Sequence, residues 1–251
     1  MQKIVLVTGA AGGIGKGLVE ALAEADWAVL GSDHPNVEPE QCIRDQCLAW
    51  IPADLSALSQ ETKNLEDFVG NVCSAAGERD LSAIIHNAAL QRLGKFDQLT
   101  ATDWNKTISV NLMAPVMINK AFIAQLQRQK GSIIHIGSIH SQLTKPGFTA
   151  YATSKAALAG LTRAMAVEIG GTIRVNAIEP AAIATPMLEA GFAANPELKA
   201  QLESFHPTNS IGSSDDVAKA VQFLLDPSCR FLNGCVLHLG GGIHSRLHDP
   251  D

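Results

Sequence analysis

The sequence predicts a doubly wound α/β domain with a seven-stranded parallel sheet and helices on both faces. Three observations lead there. Short β-branched runs recur along the chain, separated by helix-period segments of about ten residues or more, the crossovers that parallel strands require. The first run ends in a glycine cluster at 9–15 that opens a helical pattern. No linker, repeat or shift in composition divides the 251 residues, so 1–251 reads as a single domain.

Taken in order, residues 4–7 form a buried strand, and 17–25 carry Leu18, Val19 and Leu22 at helical spacing. A second strand at 27–30 ends at Gly31-Ser32-Asp33. A connection containing Pro and Cys leads to a third strand at 49–53, ending at Asp54. Residues 57–76 form a helix with Leu58, Leu65, Phe68, Val69 and Val72 on one side. The fourth strand, 81–86, ends at Asn87-Ala88-Ala89. A long helix over 101–129 contains Asn111 and is expected to bend at Pro115. The fifth strand, 133–136, ends at Gly137-Ser138; a loop with His140, Pro146 and Gly147 then leads into a helix over 150–169. The sixth strand is 173–178, followed by a helical excursion at 186–206, a helix at 215–225 and a last strand at 236–239.

Composition sets bounds. Hydrophobic residues make up 46% and charged residues 18%, the balance of a folded globular chain. A formal net charge of −6 argues against a nucleic-acid surface. The start of the chain reads as a strand running into glycines, so no secretory leader is expected. No run of about 18 apolar residues suggests a membrane span. The five Cys have no framework spacing and read as free thiols of a reducing compartment, the cytoplasm. Neither Cys42 and Cys47 near His34 nor the two His of the C-terminal tail have the spacing of a metal site, so no metal is expected. The tail reads as a subunit contact or a solvated end.

Two stretches carry chemistry. In Tyr151-Ala-Thr-Ser-Lys155 a phenol and an ammonium four residues apart share a helix face. The preceding loop can fold Ser138 back to them at the carboxyl end of a strand, where open α/β sheets place ligands. Tyr151 is a poor base at its ordinary pKa of ~10, and a neighbouring Lys155 ammonium favours the phenolate. The glycine turn, Gly9-x3-Gly13-Ile14-Gly15, lets backbone approach a pyrophosphate, which the helix N-terminus then holds. Asp33, eighteen residues beyond Gly15, stands where a carboxylate accepts both ribose hydroxyls and repels a 2′-phosphate. With no Lys or Arg inside 9–15 and His34 after Asp33, NAD is expected rather than NADP. Asp54 either holds the adenine amino group or caps the helix that follows.

Together these residues resemble a short-chain dehydrogenase/reductase of the compact single-domain type. The resemblance rests on Thr8-Gly9-x3-Gly13-Ile14-Gly15, Asp54, Asn87-Ala88-Ala89, Asn111, Ser138, Tyr151-x3-Lys155 and 180–185. It implies a Rossmann-type fold, a nicotinamide cofactor and a homotetramer. It further implies a tetrad of Asn111, Ser138, Tyr151 and Lys155, in which Asn111 fixes a water that relays protons from Lys155. The cofactor would meet Asp54, Leu55, Asn87, Ala88, Pro180, Ile183 and Thr185, as well as Tyr151 and Lys155. The sequence departs from the family pattern at Ala89, Ala181 and Leu239, where Gly, Gly and Asp are usual. An enoyl reductase would space its Tyr and Lys more widely.

The resemblance also places Gln91, Ser138, His140, Phe148 and Tyr151 around the substrate, with 186–206 as a lid. Gln91 and His140 resemble positions that hold a carboxylate in short 3-hydroxyacid dehydrogenases, whereas Phe148 replaces their Lys. The expected activity is NAD-dependent interconversion of a secondary alcohol and a ketone. The substrate is expected to be a small polar alcohol, hydroxyacid or sugar derivative. The rivals are an NADPH-dependent 3-oxoacyl-type ketoreductase and a non-catalytic NAD-binding protein.

Overall fold

Each interior strand is apolar at consecutive positions, and the pleat sends those side chains to opposite faces. Ile4 and Leu6 of β1 (Ile4–Thr8) enter one core with Ile84, Ile133, Phe122 and Leu126. Val5 and Val7 enter the other, with Ile85, Ile134, Leu18 and Val221. Two buried faces leave only a parallel sheet covered on both sides. The computed structural model, which describes residues 2–192 and 195–247, shows that sheet. All neighbours are parallel in the order β3-β2-β1-β4-β5-β6-β7, so the winding reverses between β1 and β4.

The first half runs β1, α1 (Gly13–Glu24), β2 (Ala28–Ser32), α2 (Gln41–Gln46), β3 (Cys47–Trp50), α3 (Leu55–Leu58), α4 (Thr62–Ala76) and β4 (Leu81–His86). Here β3 starts and ends earlier than 49–53, and the connection before it holds the short helix α2. Past Trp50 the chain still bonds alongside β2, from Ile51 N to Gly31 O and from Ala53 N to Asp33 O. The helix expected at 57–76 is two helices. Asp54 caps α3, and the chain turns at 59–61 before α4.

The second half runs α5 (Ala101–Ile108), a π turn at Ser109–Met113, α6 (Ala114–Gln129), β5 (Ser132–Ile136), α7 (Thr149–Ile169) and β6 (Arg174–Pro180). After these come α8 (Pro186–Phe192), α9 (Pro196–Phe205), α10 (Ser214–Leu225) and β7 (Val236–Leu239). The long helix is continuous from Ala101 to Gln129 but widens its register into a π turn at Ser109–Met113, immediately ahead of Pro115 in the first turn of α6. By length and composition α5 through α6 could cross a bilayer, but Ile118, Phe122 and Leu126 are fully buried in the core. The excursion at 186–206 is two helices, with residues 193 and 194 outside those described. Of the tail, residues 248–251 lie outside them too. All five Cys are free thiols.

Candidate active site

The glycine turn has room for backbone alone. Gly9 has φ +66°, and a Cβ there would lie 2.7 Å from Ala88 Cα. A Cβ on Gly15 would lie 2.0 Å from the Gly9 carbonyl oxygen. One on Gly13 would lie 2.8 Å from Thr185 Cβ, so the loop after β6 closes down on the turn. Gly12, the N-cap of α1, offers no side-chain cap. The first amides of α1, including those of Ile14 and Gly15, are left to an anion. Asn87 locks the far wall: its Nδ2 donates to Thr8 O (3.2 Å) and Gly9 O (2.8 Å), and Thr8 Oγ1 accepts from Asn87 N and Ala88 N.

Asp33 follows β2 and faces the turn, its Oδ2 accepting from Ala11 N at 3.0 Å and its Oδ1 from His34 N at 2.8 Å. The nearby cations are paired: Lys16 with Glu40, and Arg44 with Glu38 at 3.8 Å. Asp54 caps α3, with Oδ1 accepting from Ser56 N at 2.9 Å, while its Oδ2 lies 3.9 Å from His34 Nε2. The cap uses Oδ1 alone. Leu55 is the first residue of α3 and packs on the core. An uncapped helix N-terminus, a cradle that a Cβ would fill and an unopposed carboxylate fit the phosphates and ribose of a dinucleotide.

Beyond the switch point, the structure brings Ser138, Tyr151 and Lys155 together. Ser138 follows β5 and caps a 3₁₀ turn at Ile139–Ser141, its Oγ accepting from His140 N at 3.2 Å. Lys155 is buried, with Nζ 5.6 Å from the centre of the Tyr151 ring, and donates to Ile136 O at 2.8 Å. Burial pulls its ammonium down to about 8, although the Glu179 carboxylate favours the charge. Burial pushes the Tyr151 phenol up, and the Ser138 hydrogen bond only partly offsets this.

Asn111 lies in the π turn, 1% exposed. Its Oδ1 accepts from Leu90 N (2.7 Å), and its Nδ2 donates to Leu90 O (3.0 Å) and Ser154 Oγ (2.9 Å). Ser154 in turn donates to Tyr151 O at 2.7 Å. The side chain is thus engaged by protein, and what it holds is the loop after β4 and the first turns of α7.

His140 stacks on Phe148 with ring centres 4.2 Å apart, and both meet the Tyr151 ring edge-on. Lys145 Nζ stands 5.0 Å from the Phe148 ring centre. Gln91 is exposed on the loop after Leu90. Across the site, Ile183 pairs with Gly212, and Thr185 Oγ1 accepts from Leu188 N at 3.3 Å; Pro180 ends β6.

A family profile described as enoyl-(acyl carrier protein) reductase matches residues 9–244. The chain belongs to the short-chain dehydrogenase/reductase family. An uncharacterised oxidoreductase of Schizosaccharomyces pombe is 34% identical over 244 residues, covering 96% of this chain and 90% of its own. The (2S)-[(R)-hydroxy(phenyl)methyl]succinyl-CoA dehydrogenase subunit BbsD of Thauera aromatica is 33% identical over 246 residues, covering 96% of both chains. The 3-oxoacyl-[acyl-carrier-protein] reductase FabG of Vibrio harveyi is 29% identical over 244 residues, 96% of this chain and 97% of its own. Among solved structures, 4-hydroxyisoleucine dehydrogenase complexed with NADH superposes with a TM-score of 0.88 at 26% identity, covering 98% of this chain and all of its own. ElxO with NADP bound gives 0.86 at 26%, again over 98% of this chain and all of its own. This short-chain dehydrogenase/reductase is thus an oxidoreductase built to bind a nicotinamide cofactor.

Two groupings escaped sequence reasoning. Behind Lys155 a buried polar line runs from His86 Nε2 to Asn119 Oδ1 (2.8 Å), from Asn119 to His135 (3.4 Å) and from His135 Nδ1 to Thr162 Oγ1 (2.8 Å). Burial pulls His86 down to about 4 and His135 well below the usual range. No motif spacing marks it, although a His near the end of each of two adjacent strands is a signal available in the sequence. The second grouping joins Glu179, His238 and His244, which sequence spacing does not suggest as ligands.

Proposed function

We propose that this chain is an NAD-dependent oxidoreductase that interconverts a secondary alcohol and its ketone, with Tyr151 as general acid and base. The observation that carries the reading is the meeting of Tyr151, Ser138 and buried Lys155 beside a glycine turn with free helix amides. The nicotinamide supplies the acceptor or donor of hydride when bound. In the oxidising direction Tyr151 takes the hydroxyl proton, Ser138 holds and orients the substrate oxygen, and Lys155 holds the nicotinamide ribose. In reduction Tyr151 returns the proton to the carbonyl oxygen. Asn111 acts by positioning, through Ser154, the helix that bears Tyr151. The positive charge of an oxidised nicotinamide favours the phenolate, against the burial that disfavours it. Pro180, Ile183 and Thr185 line the nicotinamide end, and Asp33, Asp54 and Leu55 the adenosine end.

Asp33 supports NAD, because a 2′-phosphate would meet its carboxylate, which takes backbone donors from Ala11 and His34, while Lys16 and Arg44 are engaged by Glu40 and Glu38. His140, Phe148 and Gln91 border the substrate, and Lys145 over the Phe148 ring restores a cation near the position where the 3-hydroxyacid enzymes carry Lys. A small hydroxyacid, polar alcohol or sugar derivative fits that wall, under a lid formed by 186–206. Free thiols support a cytoplasmic location, and membership of the family supports a homotetramer. The similarity to FabG favours one second reading, an NADPH-dependent 3-oxoacyl ketoreductase.

A panel of hydroxyacids, secondary alcohols and polyols, followed by NADH absorbance, tests the reaction. Cofactor titration separates the two readings. NAD should bind more tightly than NADP, and Asp33→Ala should weaken NAD and narrow the difference. Tighter binding of NADP by the unaltered protein, or a preference that Asp33→Ala leaves in place, overturns the NAD assignment.

A further inference from the structure

Glu179, near the end of β6, has a side chain with no exposure at all. Neither carboxylate oxygen has a hydrogen-bond partner. Its cross-strand neighbour on β7 is His238, whose Nδ1 lies 3.3 Å from Oε2, close in charge terms but not aligned as a hydrogen bond. His244, on the 3₁₀ turn Ile243–Ser245, stacks on His238 with ring centres 4.4 Å apart, and its Nε2 is buried without a partner. One donor atom from each of the three lies within 4.8 Å of the others. Two glycines make the space. A Cβ on Gly137 would lie 2.9 Å from Glu179 Cγ, and one on Gly240 would lie 2.8 Å from His244 Nδ1. Glu179 stands close enough to the Lys155 ammonium to favour its charge, yet both of its oxygens lack a hydrogen bond. A buried carboxylate left unsatisfied in this way costs several kcal/mol that a cation bound directly to it would offset.

We propose that Glu179, His238 and His244 form a binding site for a divalent transition-metal ion, with Zn²⁺ the best-matched ion. Two imidazoles and one carboxylate are a zinc donor set that leaves a fourth position for water. Bonds of about 2.0–2.1 Å place tetrahedral donors roughly 3.3 Å apart, so small side-chain rotations close the trio onto the ion. Mg²⁺ and Ca²⁺ prefer all-oxygen shells and match it poorly. The far nitrogen of His238 meets Gln142 Nε2 at 3.5 Å, and a carboxamide flip would present oxygen to an imidazole N–H, the usual outer partner of a metal-bound histidine. The ion would clip the C-terminal turn to β6. Through Gln142 it would also steady the loop that follows Ser138.

The test uses the full chain after treatment with a chelator. Co²⁺ is titrated by its visible absorption and Zn²⁺ by calorimetry, with Mg²⁺ as the hard-ion control and cofactor binding as the check on folding. The expected result is one ion per chain. Separate His244→Gln and His238→Gln variants should each weaken binding by more than the roughly 10–100-fold that loss of an outer-shell partner costs. Absence of saturable binding, or variants that bind the ion as tightly as the unaltered chain, overturns the proposal and leaves a buried Glu–His pair. The readout is metal binding, so it stands or falls apart from the proposed turnover.

Discussion

At the switch point between β1 and β4, the candidate cofactor cradle is built from what side chains leave out. Gly9, Gly13 and Gly15 have no room for a Cβ, and the helix amides are left uncapped. On the β5–β7 side, the candidate reaction site is built from side chains carried in from separate segments. Ser138, Tyr151 and Lys155 are aimed by Ile136 O, Ser154 and Asn111. A backbone cradle is a local property and tolerates exchange of its outer residues. A side-chain site depends on long-range partners, so small changes far from Tyr151 reach it.

The largest effect that separates the halves is expected at Tyr151. Tyr151→Phe removes the proton carrier and should cut turnover by roughly 10²–10⁴-fold or more, while NAD affinity stays within a few-fold. Steady-state rates with a cofactor-binding assay check this, and near-normal turnover would refute the role. Alcohol oxidation should also rise with pH into the alkaline range, because burial pushes the phenol up and the base must be deprotonated. A flat profile under chemistry-limited conditions would count against Tyr151.

A middle-sized effect is expected behind Lys155. His86 titrates at about 4 in the folded chain against about 6.5 when unfolded. Between those values the unfolded chain binds more protons. The stabilising effect of neutral His86 is therefore complete above about pH 6.5 and lost as pH falls towards 4, by roughly 3 kcal/mol. His135, also buried and neutral, acts in the same direction. Urea midpoints at pH 7 and 4.5 measure the loss, and His86→Asn should make it shallower.

The smallest is expected in the cradle. Gly13→Ala sets a methyl against Thr185 and Pro186 and should cost about 1–3 kcal/mol. It should weaken NAD binding while the pH profile of turnover keeps its shape. A shifted profile would mean that the two halves are less separate than their construction suggests.

The elements legible in the sequence are those whose signals are local. β1, β4, β5 and β7 fall where apolar runs place them, and the turn after β1 is marked by its glycines. β3 is at the sheet edge, half-buried and bulged against β2, so its periodicity is weak and its bounds shift. In the long helix the sequence offers Pro115 as its one irregularity, whereas the π turn at Ser109–Met113 goes with buried Asn111, which holds Leu90 and Ser154, partners far away in sequence.

By itself, the sequence determined the sheet, the glycine turn and the short-chain dehydrogenase/reductase motifs, since periodicity and spacing are properties of neighbouring residues. The tertiary structure decided how deeply Tyr151 and Lys155 are buried, which pushes the phenol up and pulls the ammonium down. It also decided the line from His86 to Thr162 and the meeting of Glu179 with His238 and His244. Desolvation and cross-strand contact exist only once distant segments pack, and no spacing along the chain encodes them.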